Sequence, residues 1–125
     1  TDRLCRTEQV INLESPQNYP IVVNMTCLTG LYTHPSIESL AEALLWRETG
    51  GAVAVMAPSS LTLPADQGKL SAALINQWLS NPDMRLGDIH MLARQDVPVD
   101  RDSSLDVMRT FMLFGDPALR LPNHQ

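Results

Sequence analysis

Positive charge is in short supply in this chain. Lys and Arg number 9 against 14 Asp and Glu, a formal net charge of -5, and no basic cluster offsets the balance. Nucleic acids and anionic membrane surfaces call for a basic face, so neither is expected as the main partner. Long apolar runs are missing too: a bilayer span takes about 20 such residues, and no signal peptide heads the sequence. Cysteine is confined to Cys5 and Cys27. Two make a weak case for the disulfide framework of a small secreted domain, although they are able to pair. Three scattered histidines and one candidate thiol give no metal-ligand spacing, so neither a metal nor another cofactor is expected. Repeats, low-complexity tracts and domain linkers are absent as well.

What remains is ordinary globular material. The 125 residues carry 44% hydrophobic and 18% charged positions, enough for one domain with a real core. Thr1 stands where an initiator methionine would, so a processed or truncated piece of a longer protein is expected.

The most informative stretch runs from Pro20 to Gly30. Ile21 to Thr26 form an apolar, β-branched run that delivers Cys27 to its end, and turn-prone residues follow at once. A buried parallel strand reads this way. Upstream, Leu4 to Leu13 form a short amphipathic stretch, followed by a Pro-containing polar turn. Downstream, Pro35 and Ser36 suggest a helix start, with Ser36 as N-cap and Glu38 in the first turn. Ile37, Leu40, Ala41, Leu44 and Leu45 recur at helical spacing until Gly50-Gly51 stops the run. A second apolar strand, Ala52 to Ala57, follows directly.

Strand, helix and strand with short links form a right-handed βαβ unit with parallel strands. The loop Pro58–Pro64 then emerges at the same sheet edge as Cys27, where ligands and reactive groups of open α/β sheets gather. Three further helices are expected: Ala65 to Leu79, ended by Asn81-Pro82; Leu86 to Ala93; and one from Ser103 or Ser104 presenting Leu105, Met108, Phe111 and Met112. Gly115-Asp116-Pro117 reads as a turn and Ala118 to Leu121 as a short final strand. Two or three parallel strands fall short of the usual five or six, so the chain looks like the second half of a larger α/β domain.

Four segments carry a family resemblance: Met25-Thr26-Cys27-Leu28-Thr29-Gly30-Leu31-Tyr32, Ser39 to Leu45, Gly50 to Ser60, and Leu113 to Pro122. In their order and spacing, from about residue 20 to 122, they resemble the gingipain-type cysteine peptidases. The resemblance implies a three-layer caspase-like α/β sandwich with a mainly parallel sheet, of which residues 1–125 form the nucleophile-bearing half. It implies hydrolysis of peptide bonds by a Cys–His dyad, with Cys27 as nucleophile and a peptide or protein as substrate. The family's base histidine lies in a His-Gly-type motif that this chain lacks. An upstream segment, or a companion chain, is therefore expected to complete dyad and sheet. A secreted or cell-surface location is suggested by the resemblance alone.

Each residue also has a plainer reading. A Cys at a strand end is first a small buried hydrophobe. His34 reads as a solvated loop residue, His90 as a surface or half-buried imidazole, and His124 as part of a tail. Ser59, Ser60 and Thr62 either wall a substrate pocket or cap the next helix. Turn chemistry alone accounts for Asp116. Glu42 sits on a helix with a buried apolar face, which favours a supporting role over acid–base work, and Trp46 and Trp78 read as core anchors. The alternative to a peptidase is a non-catalytic interaction or scaffold module of the same fold, its cysteine merely buried.

Overall fold

The computed structural model describes residues 19–48 and 50–121. The Leu4–Leu13 stretch, the turn after it, Cys5 and His124 lie outside the described residues. The elements, in order, are β1 (Ile21–Val23), α1 (Leu40–Trp46), β2 (Ala54–Pro58), α2 (Pro64–Ser80), α3 (Leu86–Asp96), α4 (Asp102–Thr110) and β3 (Phe111–Gly115).

The sheet order is β1-β2-β3. β1 and β2 are parallel, with Ile21 opposite Ala54 and Val23 opposite Met56. β3 joins the other side of β2 antiparallel, from Ala54 opposite Gly115 to Pro58 opposite Phe111. Every residue of β2 is buried, as a strand covered on both faces must be. Alternation then sorts its side chains. Ala54 and Met56 face a core with Leu70, Leu74, Leu86, Ile89, Val107 and Phe111 from α2, α3, α4 and the start of β3. Val55 and Ala57 face a smaller one with Ala41, Ala43 and Leu44 of α1. The result is helix, sheet, helix in three layers.

Several expected boundaries move, each for a local reason. The first helix starts at Leu40 rather than near Ser36. Ser39 Oγ accepts from the Glu42 N–H while Glu42 Oε2 accepts from the Ser39 N–H at 2.8 Å, a reciprocal capping box. Ahead of it, His34 Nδ1 accepts from the N–H groups of Ser36 and Ile37 and folds that segment into a turn of its own. Ile37 is left exposed. Phe111 and Met112 are not helical; pairing with β2 ends α4 at Thr110 and draws them into β3. The expected final strand Ala118–Leu121 is reduced to a single bridge between Arg85 and Arg120. Trp46 and Trp78 are not core anchors, at 76% and 41% exposed. Trp46 is the last residue of α1, and burial along α2 stops at Leu74, so the final turn outruns the layer beneath it.

Where α2 begins, Asp66 is buried and ties two helices together. Arg101 Nη2 and Ser104 Oγ each lie 3.3 Å from its Oδ1. The Ser103 hydroxyl, with Arg101, Ser104 and Lys69, outweighs the opposing effect of burial and holds this carboxyl below its ordinary range.

The capping box on α1 also anchors the loop after Cys27, because the Ala41 N–H donates to the Thr29 carbonyl at 2.9 Å. Replacing Ser39 by Ala is expected to cost about 1 kcal/mol. Urea unfolding should show a lower midpoint at unchanged slope.

Candidate active site

Cys27 sits four residues beyond the last residue of β1, later than the sequence suggests, because ladder pairing ends at Val23. The intervening chain stays fastened to the exit of β2. Asn24 N–H donates to Met56 O at 2.8 Å, Leu28 N–H to Ser60 O at 3.3 Å and Gly30 N–H to Pro58 O at 3.0 Å. These bonds lay the Cys27 loop along the Pro58–Thr62 segment at the carboxyl edge of the parallel pair. Two further features permit the approach. Leu28 adopts φ 64°, a left-handed conformation costly for a side chain of its size. Gly30 passes so close to β3 that a Cβ there would stand 2.8 Å from Phe114 Cε2.

The thiol is free and half-buried. Sγ donates to the Thr62 carbonyl at 3.0 Å and accepts from the Thr62 N–H at 3.4 Å. Gln67 Nε2 lies 3.8 Å from the same sulfur and also donates to Thr62 Oγ1. Gln67 occupies the first turn of α2 with only 1% of its surface exposed, and its Oε1 is buried without a hydrogen-bond partner. Sequence reasoning overlooked this residue. Its only signal is a polar side chain in the first turn of a helix directly after the Thr62 loop.

The other singled-out positions separate clearly. Thr62 is beside the thiol, and Ser60 is bonded to its loop through the main chain. Ser59 is turned the other way, its N–H and hydroxyl both donating to the Thr110 carbonyl. Glu42 is occupied in the capping box, and Asp116 Oδ1 accepts from Ala118 N–H within its turn. His34 is exposed and committed to its own turn. No group of three or more His, Cys, Asp and Glu among the described residues is placed to hold a metal ion.

His90 departs from the half-buried surface position expected of it. It is buried and stacks on Phe111 with ring centroids 6.5 Å apart, its Nε2 without a partner. It belongs to the core under the sheet, not to the Cys27 loop. Burial, reinforced by the nearby Arg94 charge and only partly opposed by a hydrogen bond with the Phe111 backbone, pushes its pKa down to about 4.

A half-buried thiol at the exit of a parallel strand pair, in a three-layer α/β sandwich, has the form of a caspase-like cysteine peptidase domain. The family model of Peptidase family C25 matches residues 1–122, and the chain belongs to that family. Two solved structures share the fold. The crystal structure of the Arg-specific cysteine proteinase gingipain R matches 92% of this chain at a TM-score of 0.75 and 22% identity. The complex of Porphyromonas gingivalis RgpB pro- and mature domains matches 90% of it at a TM-score of 0.81 and 20% identity. The chain spans only 28% and 29% of the length of those two. No match is found among curated proteins.

Stability should respond to His90. Unfolding restores an ordinary imidazole that takes a proton near pH 6.5, whereas the folded group resists protonation down to about 4. Its contribution is complete above pH 6.5 and is lost as pH falls toward 4, on the order of 3 kcal/mol in all. Unfolding midpoints measured from pH 7 to 4 should fall along this slope, and His90→Leu should flatten it.

Proposed function

We propose that this chain is the nucleophile-bearing part of a cysteine endopeptidase, with Cys27 as the attacking group. Its placement at the carboxyl edge of β1 and β2, beside the Thr62 loop, is the observation that carries the reading, together with membership of a peptidase family. A thiolate is the nucleophile; an ordinary thiol near 8.5 is ionised to only a few per cent at neutral pH, so a base must assist. His34 is committed to its own turn and His90 to the core beside Phe111, and the base histidine is assigned to a segment upstream of residue 1.

In the first step Sγ gives its proton to that imidazole and attacks the scissile carbonyl carbon. The carbonyl oxygen becomes an oxyanion, which the Cys27 backbone N–H helps to bind, an effect of about 3 kcal/mol per donor in related chemistry. Collapse expels the amine, protonated by the imidazolium, and leaves a thioester. Water, deprotonated by the same imidazole, hydrolyses the thioester and frees the thiol. Ser60 and Thr62, on the segment beside the sulfur, are assigned the wall of the substrate pocket. Ser59, tied to Thr110, is assigned the support of that wall.

A peptidyl probe with a thiol-reactive warhead tests the assignment in the full-length protein. Labelling at Cys27 is expected, abolished in Cys27→Ala together with peptide hydrolysis. If hydrolysis survives in Cys27→Ala, the chain is a non-catalytic module or another residue attacks.

A further inference from the structure

We infer that Gln67 is the positioning residue of the Cys27 thiol, a role that rests on Cys27 being the nucleophile. Two donors converge on the sulfur, the Thr62 N–H at 3.4 Å and the Gln67 amide at 3.8 Å. Both favour negative charge on that atom, since donors to a thiolate stabilise the charged form. The Thr62 carbonyl at 3.0 Å does the reverse, because it accepts the thiol proton and faces a bare sulfur once the proton leaves. The Thr62 hydroxyl stands 4.0 Å from the sulfur and in turn receives the Gln67 amide, so Gln67 reaches Sγ both directly and through Thr62.

The construction around Gln67 fits that role better than packing alone. The amide is buried to 99% by its 1% exposure, in the first turn of α2, and Oε1 has no partner. Leaving a buried acceptor unpaired destabilises a fold, whereas an apolar side chain of the same shape removes that cost. Met would remove that unpaired acceptor together with the bond that Thr62 Oγ1 receives, so stability alone does not call for the amide. What the amide does supply is a bridge: Nε2 donates to Thr62 Oγ1 and reaches the sulfur. It thereby fixes the Thr62 loop and the thiol relative to one helix end.

The test compares full-length wild type with Gln67→Met, which keeps length and volume and removes the donor. Alkylation of Cys27 by iodoacetamide is followed across pH by peptide mass spectrometry, beside kcat and KM for peptide hydrolysis. The alkylation profile should move to higher pH, the rate at pH 7 falling roughly three- to ten-fold, the factor one hydrogen bond supplies. The plateau rate at high pH should hold or rise, because a more basic thiolate is the better nucleophile. kcat should fall with KM unchanged, and the melting temperature should change little, because the lost bond to Thr62 and the removed unpaired acceptor oppose each other. Thr62→Val removes the hydroxyl that anchors the amide and should shift the profile in the same direction by less, which keeps the question open to test if Gln67→Met does not fold. A wild-type profile in either folded variant overturns the role. Cys27→Ala in the same hydrolysis assay is the separate arm: retained turnover there removes the nucleophile, whereas an unmoved profile in an active enzyme removes only Gln67.

Discussion

The parallel pairing of β1 with β2 is the constraint on which the site depends. Two parallel strands must end at the same edge of a sheet, so the segments that follow them are neighbours whatever their sequences. Here that adjacency is extended by main-chain bonds beyond the ladder itself, from Asn24 to Met56, Leu28 to Ser60 and Gly30 to Pro58. The register carries the consequence. The first of these rungs continues the pairing of Val23 with Met56, and the other two turn the loop back along the segment after β2; a slip of one residue would reverse the faces of the whole of β2. Such a slip would turn Ala54 and Met56 toward α1 and strand two cores at once.

The two helical layers hold that register from opposite sides and with unequal means. On one face α1 is only seven residues long, too short to persist without tertiary help. It survives through its capping box, the Leu44 contacts beneath β2, and the Thr29 carbonyl that receives Ala41 N–H. On the other face α2, α3 and α4 form the larger core, with Asp66 fastening α2 to α4 at their N-terminal ends. The buried carboxylate is paired and hydrogen-bonded, which is the condition for tolerating a charge there. Because Gln67 follows Asp66 directly, the tether that positions α2 also fixes where the Gln67 amide meets the thiol.

How much of this was legible in the sequence follows from how local each signal is. The βαβ core, the placement of Cys27 beside the second strand's exit loop, and α2 with its Asn81-Pro82 stop rest on continuous apolar runs and strong breakers, and these read directly. The start of α1 did not, because two competing N-terminal signals stand three residues apart. Ser36 looks as good a cap as Ser39, and only the reciprocal bond with Glu42 and the diversion of the Ser36 and Ile37 N–H groups to His34 decide between them. Phe111 and Met112 extend the helical spacing of α4, yet their partners are the residues of β2, more than fifty positions earlier. No window along the chain contains that information. Gln67 was invisible for the same reason: its meaning lies in a sulfur 40 residues away.

That distance bears on how the thiol is positioned. Every observed partner of the thiol comes from the Thr62 loop or the first turn of α2, 35 to 40 residues along the chain. The sulfur is therefore oriented by the same strands and helix that form the core, before any base approaches. A side chain held in this way keeps its geometry through the fold alone, the preorganisation that the proposed nucleophile requires. The resting thiol proton, though, is engaged by a main-chain carbonyl that no side-chain substitution can remove. The strained Leu28 turn and the close passage of Gly30 hold the loop that carries the sulfur. On the proposed reading of Cys27 as nucleophile, Thr62 and Gln67 set the direction of the thiol, and both belong to the segment that β2 and α2 hold in place.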